Sequence, residues 1–394
     1  MRDRQQHAAK LIADFAERTG LTSDVPAQRY LWTDAFAVCT LLELHACSAE
    51  DHYRVQCEQL IDQVHNTLGR HRRDDPRSGW LSGLEEEEGA THPTIGGLRI
   101  GKPLPERGLH EPFDERLEWE RDGQYFHYLT KWMDALVRAA ILLDRPIYLR
   151  HATELAKSVL PRFALRAATG EITALAWKIS IDLSRPQTAG SSPHDSLDGY
   201  VTFQTLRWAS DGSSNLSLEQ EIETLRHMCP PGNWATDDPL GLGGLLLDSL
   251  RLLYTSTQVV SDALLLAAIL NGVSVGLEHL AGRPFAALPA AHRLAFRELG
   301  LSIGLQAMEM IRAQAQHWPG LAGETQSDLE QVDRLSGLGT QIVDYWAAKD
   351  ARNNETWRDH QDINEVMLAA ALVEAQPRTF LRMYRSIAAA GSGA

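Results

Sequence analysis

The richest concentration of chemically active side chains lies in residues 117–132, LEWERDGQYFHYLTKW. Glu118 and Asp122 are four residues apart there, so they share one face if a helix begins early. A carboxyl group held in a partly dry cleft can act as a general acid or base, and we predict such a group in this segment. A simpler alternative stays open, in which Asp122 is a helix N-cap and Glu118 is a solvated loop charge.

Similar side chains recur where other predicted helices begin. Acids, amides, imidazoles and aromatic rings suit a sugar site, because a pyranose offers an apolar face for stacking and many hydroxyls for hydrogen bonding. Acids at helix N-termini also cap the helix and complement its dipole, and this alternative stays open for each of them. The candidate binding residues at helix starts, with Trp32 and Tyr125 as stacking surfaces, are Arg29, Trp32, Asp34, Gln124, Tyr125, His127, His194, His360 and Asp362.

A second pair of carboxylates, Asp195 and Asp198, is spaced three residues apart, which also fits one helical face. Paired carboxylates on opposite sides of a glycosidic bond carry out inverting hydrolysis, with about 6.5–9.5 Å between them to admit a water molecule. We therefore predict that Asp122 or Glu118 protonates the glycosidic oxygen. Asp195 or Asp198 is then the base that activates water.

Residues 171–183, EITALAWKISIDL, are β-branched and alternating, which predicts a short hairpin or strand pair. We assign residues 171–200 to a β-hairpin and loop insertion that forms a second wall of the site. Trp177 is predicted to stack on a sugar ring and Lys178 to pair with an acid. A core position for Trp177 is the alternative.

Residues 71–121 form a long loop that is rich in glycine. A loop of this length in a compact domain is usually functional or disordered, and the apolar residues among its glycines favour an ordered loop over the mouth of a cavity. Its cations predict an anionic group on the ligand, such as a uronate or a sugar phosphate, with ion pairing to the glutamates at 85–88 as the alternative. These candidate binding cations are His92, Arg99 and Lys102.

Helical periodicity dominates the rest of the chain. We predict helices near residues 4–19, 29–47, 50–70, 122–143, 146–167, 196–209, 217–228, 239–255, 260–281, 287–316 (broken near Gly300), 326–348, 362–374 and 377–390.

These helices come in weakly similar pairs, for example RYLWTDAFAVCTLLEL followed by SAEDHYRVQCEQL. The first helix of a pair starts with polar and aromatic residues and becomes aliphatic, whereas the second is amphipathic. About six such hairpins fit the length, and each must bury its apolar face on its neighbours. We predict a single all-α domain over residues 1–394, an (α/α)6 toroid with the first helices inside. An open solenoid is the alternative.

Composition narrows the possible partners and compartments. The net charge of −14 and the lack of a long basic run argue against nucleic acid. Residues 240–253 are leucine-rich but interrupted by Asp248 and Arg251, and the N-terminus lacks an apolar signal segment, so we expect no membrane span and a cytoplasmic protein. The four cysteines form no CxxC pair, which predicts free thiols.

Several catalytic motifs are absent from the sequence. We find no HExxH, no GxxxxGK[ST], no GxGxxG after a strand and no GxSxG. We therefore predict neither a metal nor another cofactor.

The paired helices and the motifs RYLWTDAF, WERDGQYFHYLTKW and HDSLDGY resemble the six-hairpin glycosidase superfamily. This superfamily includes inverting glucoamylase-like hydrolases, unsaturated glucuronyl hydrolases and, more distantly, N-acylglucosamine 2-epimerase-like enzymes. The resemblance implies an (α/α)6 toroid with a site of acids and aromatic residues at one end of the ring. Transferred by position, it implies functional roles for Asp34, Glu118, Asp122, Asp195, Asp198 and His360.

Three functions follow from these observations. The leading hypothesis is an inverting glycoside hydrolase that acts on a small or anionic saccharide. The first alternative is a sugar isomerase or epimerase on the same ring, with His127, His194 or His360 moving protons next to a carbonyl. The second alternative is a helical-array protein that binds a partner without catalysis.

Overall fold

A computed structural model describes residues 2–188, 190–210, 217–230, 232–256, 259–282, 288–318, 321 and 323–391. The chain divides into two compact units. The site unit comprises Ala16–His45 and Ala49–Met228, and the C-terminal unit comprises Met1–Phe15, Ala46–Ser48 and Cys229–Ala394. The organisation as a single domain stays a prediction.

The protein is 67% helical with a few short strands, which confirms the predicted all-α class. The strands are β1 (Gln124–Tyr125), β2 (Ala164–Arg166), β3 (Ile172–Leu175) and β4 (Lys178–Ile179). The helices are α1 (Arg2–Arg18), α2 (Leu31–Ser48), α3 (Asp51–Leu68), α4 (Glu86–Thr91), α5 (Glu115–Glu120), α6 (Phe126–Leu142), α7 (Pro146–Phe163), α8 (Pro193–Ala209), α9 (Glu219–His227), α10 (Pro239–Thr255), α11 (Val259–Ala281), α12 (Ala295–Leu305), α13 (Met308–Ala315), α14 (Gly323–Leu335), α15 (Gly337–Ala347), α16 (Lys349–Arg352), α17 (Glu355–Asp359), α18 (Gln361–Leu372) and α19 (Ala375–Gly391).

Burial in the site unit follows the predicted alternation of helices. Nearly all residues of α2 are buried up to Leu44, and α8 is buried from Asp195 to Leu206. The helices α3 and α7 are amphipathic instead, with one buried face each. The helix α6 packs against both α7 and α8, and its buried residues contact these two neighbours.

The segment at 171–183 contains strands, but they do not pair with each other. β3 pairs with β2, whereas β4 pairs with β1 so that Tyr125 lies opposite Lys178. The predicted hairpin is therefore wrong in its pairing. The physical reason is the connection: a two-residue hairpin turn favours Gly or Asn, and Ala176 and Trp177 separate these strands instead.

The long loop at 71–121 is ordered and includes the short helices α4 and α5. Gln124, which begins β1, holds the loop through two of its three hydrogen bonds. Its side-chain carbonyl accepts from the Leu98 N–H at 2.9 Å, and its amide donates to the Gly96 and Ile181 carbonyls at 3.1 and 2.7 Å. Gly97 has a φ of +75°, and a Cβ there would lie 2.0 Å from the Gln124 oxygen. A glycine is thus required where the loop crosses Gln124.

In the C-terminal unit, α10 packs against α11 and α12, and α12 packs against α15 and α18. The break predicted near Gly300 lies instead at Gln306 and Ala307, between α12 and α13. Gly300 serves close packing rather than a break, because a Cβ on Gly243 of α10 would lie 2.0 Å from the Gly300 carbonyl oxygen.

One helix in the described residues, Val260–Ala281, is long and apolar enough to cross a membrane, with a mean hydropathy of 1.8. This helix lies after residues 240–253, the leucine-rich segment for which the sequence predicts no membrane span. Of the span, 61% is buried within the protein, as in the core helix of a globular fold. The absence of a membrane partner stays a prediction.

Candidate functional site

Three helices of the site unit bring their N-terminal residues together. The Trp32 ring at the start of α2 lies 6.2 Å from the His127 ring at the start of α6, centroid to centroid. His127 Nδ1 in turn lies 3.4 Å from an Asp195 carboxylate oxygen at the start of α8. Residues that are far apart in the sequence thus surround one imidazole.

Aromatic rings form the wall around this imidazole. The Tyr125 ring stacks on His127 with 5.3 Å between centroids and an interplanar angle of 23°. The Trp177 ring lies 5.0 Å from Tyr125, and Trp119 contacts Trp177 edge to face at 4.9 Å. Because β1 pairs with β4, Tyr125 lies beside Trp177, the residue that immediately precedes β4. Rings in this arrangement can stack on the apolar face of a sugar.

His127 and Asp195 form a dyad in which the carboxylate is 5% exposed and the imidazole is half-buried. The 3.4 Å contact is longer than a hydrogen bond, but a carboxylate this close attracts a proton to Nδ1 and leaves Nε2 to exchange a proton with a ligand. This dyad is therefore suited to general acid–base chemistry.

One helical turn further along α6, a cation and a hydroxyl bind Asp198. The Lys131 ammonium donates to one carboxylate oxygen at 2.7 Å, and the Thr130 hydroxyl donates to the other. Asp198 is therefore a partner of α6 as well as a candidate base.

Glu118 is buried in a cluster of cations. The Lys178 ammonium donates to one of its carboxylate oxygens at 2.8 Å, and Arg107 donates to the other at 3.1 Å. Lys178 is fully buried and also donates to the Glu118 and Arg121 carbonyls. Burial lowers the pKa of the Lys178 ammonium, and the paired Glu118 opposes that shift. Lys178 thus pairs with an acid, and that acid is bound within the protein.

Asp122 is fully buried and organises the long loop. One carboxylate oxygen accepts from Arg99, and the other accepts from the backbone N–H groups of Gly101 and Gly123 at 3.0 and 3.1 Å. It is not an N-cap, because α6 begins four residues later at Phe126. Since its oxygens are held by the protein, its surroundings favour a structural role.

Two of the three candidate cations in the loop make structural contacts, and the third lies near an aromatic ring of the site. Arg99 donates to Asp122 and to two backbone carbonyls, and His92 Nδ1 lies 2.8 Å from Glu154 of α7. Neither cation pairs with the glutamates at 85–88 in the described contacts. Lys102 differs, because its ammonium lies 5.6 Å above the Tyr30 ring, and burial lowers its pKa.

The remaining predicted residues occupy three different surroundings. Arg29 and Asp34 are buried together at the start of α2, 3.3 Å apart, and Asp34 accepts from the Tyr30 N–H. His194 is half-buried on the first turn of α8. His360 and Asp362 belong to the C-terminal unit, where exposed His360 contacts Phe296 edge to face.

Two further aromatic residues belong to this region, although neither is among the candidate binding residues given above. The Tyr30 and Tyr128 hydroxyls are 2.7 Å apart, and Tyr128 contacts Trp32 and Tyr125. The signal for Tyr128 was its place beside His127, within the segment that we singled out. Within the described ranges, no group of three or more His, Cys, Asp or Glu side chains could hold a metal ion.

No protein-family model matches this chain. No curated protein matches it either. Among solved structures, it is similar to the crystal structure of a sugar epimerase from a ruminal bacterium. That similarity has a TM-score of 0.47 and 10% sequence identity, and it covers 87% of this chain and 86% of the other.

Proposed function

We propose that this protein is a sugar isomerase or epimerase in which His127 moves a proton at the carbon next to the substrate carbonyl. The observation that supports this proposal is the His127–Asp195 dyad, 3.4 Å apart and surrounded by aromatic rings. The imidazole takes the proton from carbon, the C–H electron pair forms a C=C bond as the carbonyl oxygen becomes an enolate, and the imidazolium returns a proton to carbon as the carbonyl forms again. No bond between heavy atoms breaks in this sequence.

The hydrolase that we first favoured has less support from the same geometry. Inverting hydrolysis needs one carboxylic acid and one carboxylate that both reach the substrate. Glu118 and Asp122, the two candidate acids, are 4% and 0% exposed, and both are bound to arginine or lysine. The carboxylates beside the aromatic wall are Asp195 and Asp198, which contact His127 and Lys131.

The test is a panel of aldoses, ketoses, N-acylated amino sugars and disaccharides incubated with the protein in D₂O and followed by proton NMR. We expect a changed stereocentre or a shifted carbonyl, with solvent deuterium at that carbon. Replacing His127 with Gln should lower kcat/KM by about 10²-fold or more, the usual effect of losing a general base. His227→Gln is the matched control, because His227 is exposed and lies on α9.

New reducing ends without deuterium on carbon would instead support a glycoside hydrolase. Full activity of His127→Gln would exclude His127 as the acid–base residue.

A further inference from the structure

Two ring donors beside His127 are buried and, like His127 Nδ1 and one Asp195 carboxylate oxygen, make no hydrogen bond to any residue in the described ranges. They are the Tyr125 hydroxyl and the Trp32 indole nitrogen. Tyr125 is 2% exposed and Trp32 is 7% exposed. Buried side-chain donors nearly always have an acceptor, because leaving one without a partner costs about 1–3 kcal/mol.

Two pairs of neighbouring side chains are hydrogen-bonded within the protein. The Tyr30 and Tyr128 hydroxyls bond each other at 2.7 Å, and Lys131 donates to Asp198 at the same distance. The Tyr125 hydroxyl and the Trp32 N–H belong to two of the rings around His127. A buried polar atom at that position, without a partner in the protein, points to a ligand.

We propose that the Tyr125 hydroxyl and the Trp32 N–H donate hydrogen bonds to oxygen atoms of the sugar on which His127 acts. This inference rests on the proposed function and adds the residues that hold the reacting carbonyl or its neighbouring hydroxyl. An indole N–H is a donor only, so the ligand atom that it meets is an acceptor oxygen rather than an amine. A donor aimed at an oxygen that becomes an enolate stabilises the developing negative charge.

The protonation of Tyr125 suits this role. Burial raises the pKa of its hydroxyl above the ordinary value of 10.0, and the nearby Tyr128 and Glu118 act in the same direction. The hydroxyl is therefore protonated and able to donate at neutral pH. The Tyr125 ring stacks on His127 and holds it in place. The ring therefore positions the imidazole, and the hydroxyl donates the hydrogen bond.

The variant Tyr125→Phe tests the hydroxyl alone, because it keeps the ring and removes the oxygen. If the hydroxyl serves the substrate, kcat/KM should fall by about 10²-fold, the effect of losing one donor to a developing oxyanion. The melting temperature should stay equal or rise, because the variant no longer buries a donor without an acceptor. Trp32→Phe, which removes the indole N–H, should lower kcat/KM by about tenfold.

Tyr148→Phe is the matched control. Tyr148 is a buried tyrosine on α7 whose ring is not part of the aromatic wall, so its activity should equal that of the wild type. The sugar used is the one that the wild-type protein converts in the NMR panel, and activity and melting temperature are measured on the same samples.

The outcomes distinguish this inference from the proposed function. Wild-type turnover with full activity in Tyr125→Phe overturns the inference and leaves the function standing. A clear fall in the melting temperature of Tyr125→Phe also overturns it, because the hydroxyl would then have a partner in the fold. Failure of the wild type to convert any sugar overturns the proposed function, and the inference falls with it.

Discussion

Among single residues, Glu118 shows how a buried ion pair indicates a structural role for an acid rather than a catalytic one. Its carboxylate lies between Lys178 and Arg107, and removing one partner of a buried ion pair leaves the other charge uncompensated. We expect Glu118→Gln to destabilise the protein by about 3–5 kcal/mol, measured by urea unfolding. Glu120→Gln is the control on the same short helix, because Glu120 is exposed and the change should stay within about 0.5 kcal/mol.

One result would indicate that Glu118 is a catalytic acid after all. An unchanged stability of Glu118→Gln together with lost turnover of a glycoside would contradict the structural role.

Sequence reasoning identified His127, Tyr125, Trp32 and Asp195 as candidate site residues, because aromatic and titratable residues at helix starts are a local pattern. It did not identify which acids are bound within the protein. The partner of Asp122 is Arg99, and that of Glu118 is Lys178, 60 residues away. Such pairings depend on how distant segments fold together, and the spacing of residues along one helix gives no information about that.

At the scale of helices, α7 carries a histidine that is neutral in the folded protein. Burial, opposed by the contact with the Thr91 carbonyl and assisted by the nearby Arg150 and His92, lowers the pKa of His151 from 6.5 to about 4. Burial also lowers the pKa of His65 on α3, whose ring lies 5.3 Å from that of His151.

Protons therefore bind the unfolded chain more readily than the folded one between pH 6.5 and 4. Stability from this group is fully present above pH 6.5 and is lost as the pH falls toward 4, with His151 accounting for about 3 kcal/mol. Urea unfolding at pH 7, 6 and 5 should show this loss, with a smaller slope in His151→Gln. The same slope in His151→Gln as in the wild type would contradict the assignment, and His227→Gln should leave it unchanged.

Helix packing in the C-terminal unit gives a sharper test, because two adjacent glycines on α10 have different surroundings. A Cβ on Gly243 would lie 2.0 Å from a backbone oxygen of α12, whereas a Cβ on Gly244 would meet nothing within 4 Å. Alanine favours a helix over glycine by about 1 kcal/mol. Gly244→Ala should therefore stabilise by roughly that amount, and Gly243→Ala should destabilise by about 1–3 kcal/mol in the same unfolding assay.

Equal effects of the two alanines would show that α10 and α12 are not in close contact. This contact also explains why the sequence misplaced the helix break. A glycine in a helical pattern indicates either a break or a close approach, and the partner backbone that decides between them lies some 60 residues away in the sequence.

For the whole molecule, the all-α class was predictable because helical periodicity is a property of each local window. The division into two compact units was not. Residues 1–15 and 46–48 belong with residues 229–394, although a site-unit segment separates each of these pieces from the next. Only contacts between remote segments define such a unit, and one sequence contains no direct record of them.

For the whole molecule, mutations in α11 can test whether this helix packs within the protein or lies in lipid. Its length and apolar composition would also fit a membrane span. Leu264 is 62% exposed and its neighbour Leu265 is fully buried. If α11 packs within the folded protein, Leu264→Asp should change stability by less than about 0.5 kcal/mol. Leu265→Asp should destabilise it by about 4 kcal/mol or more, because an unpaired charge would enter the core. A helix surrounded by lipid would respond differently, since aspartate on either side costs about 2.5–3.5 kcal/mol there. Similar losses for the two variants, measured by unfolding and by recovery without detergent, would contradict a packed α11.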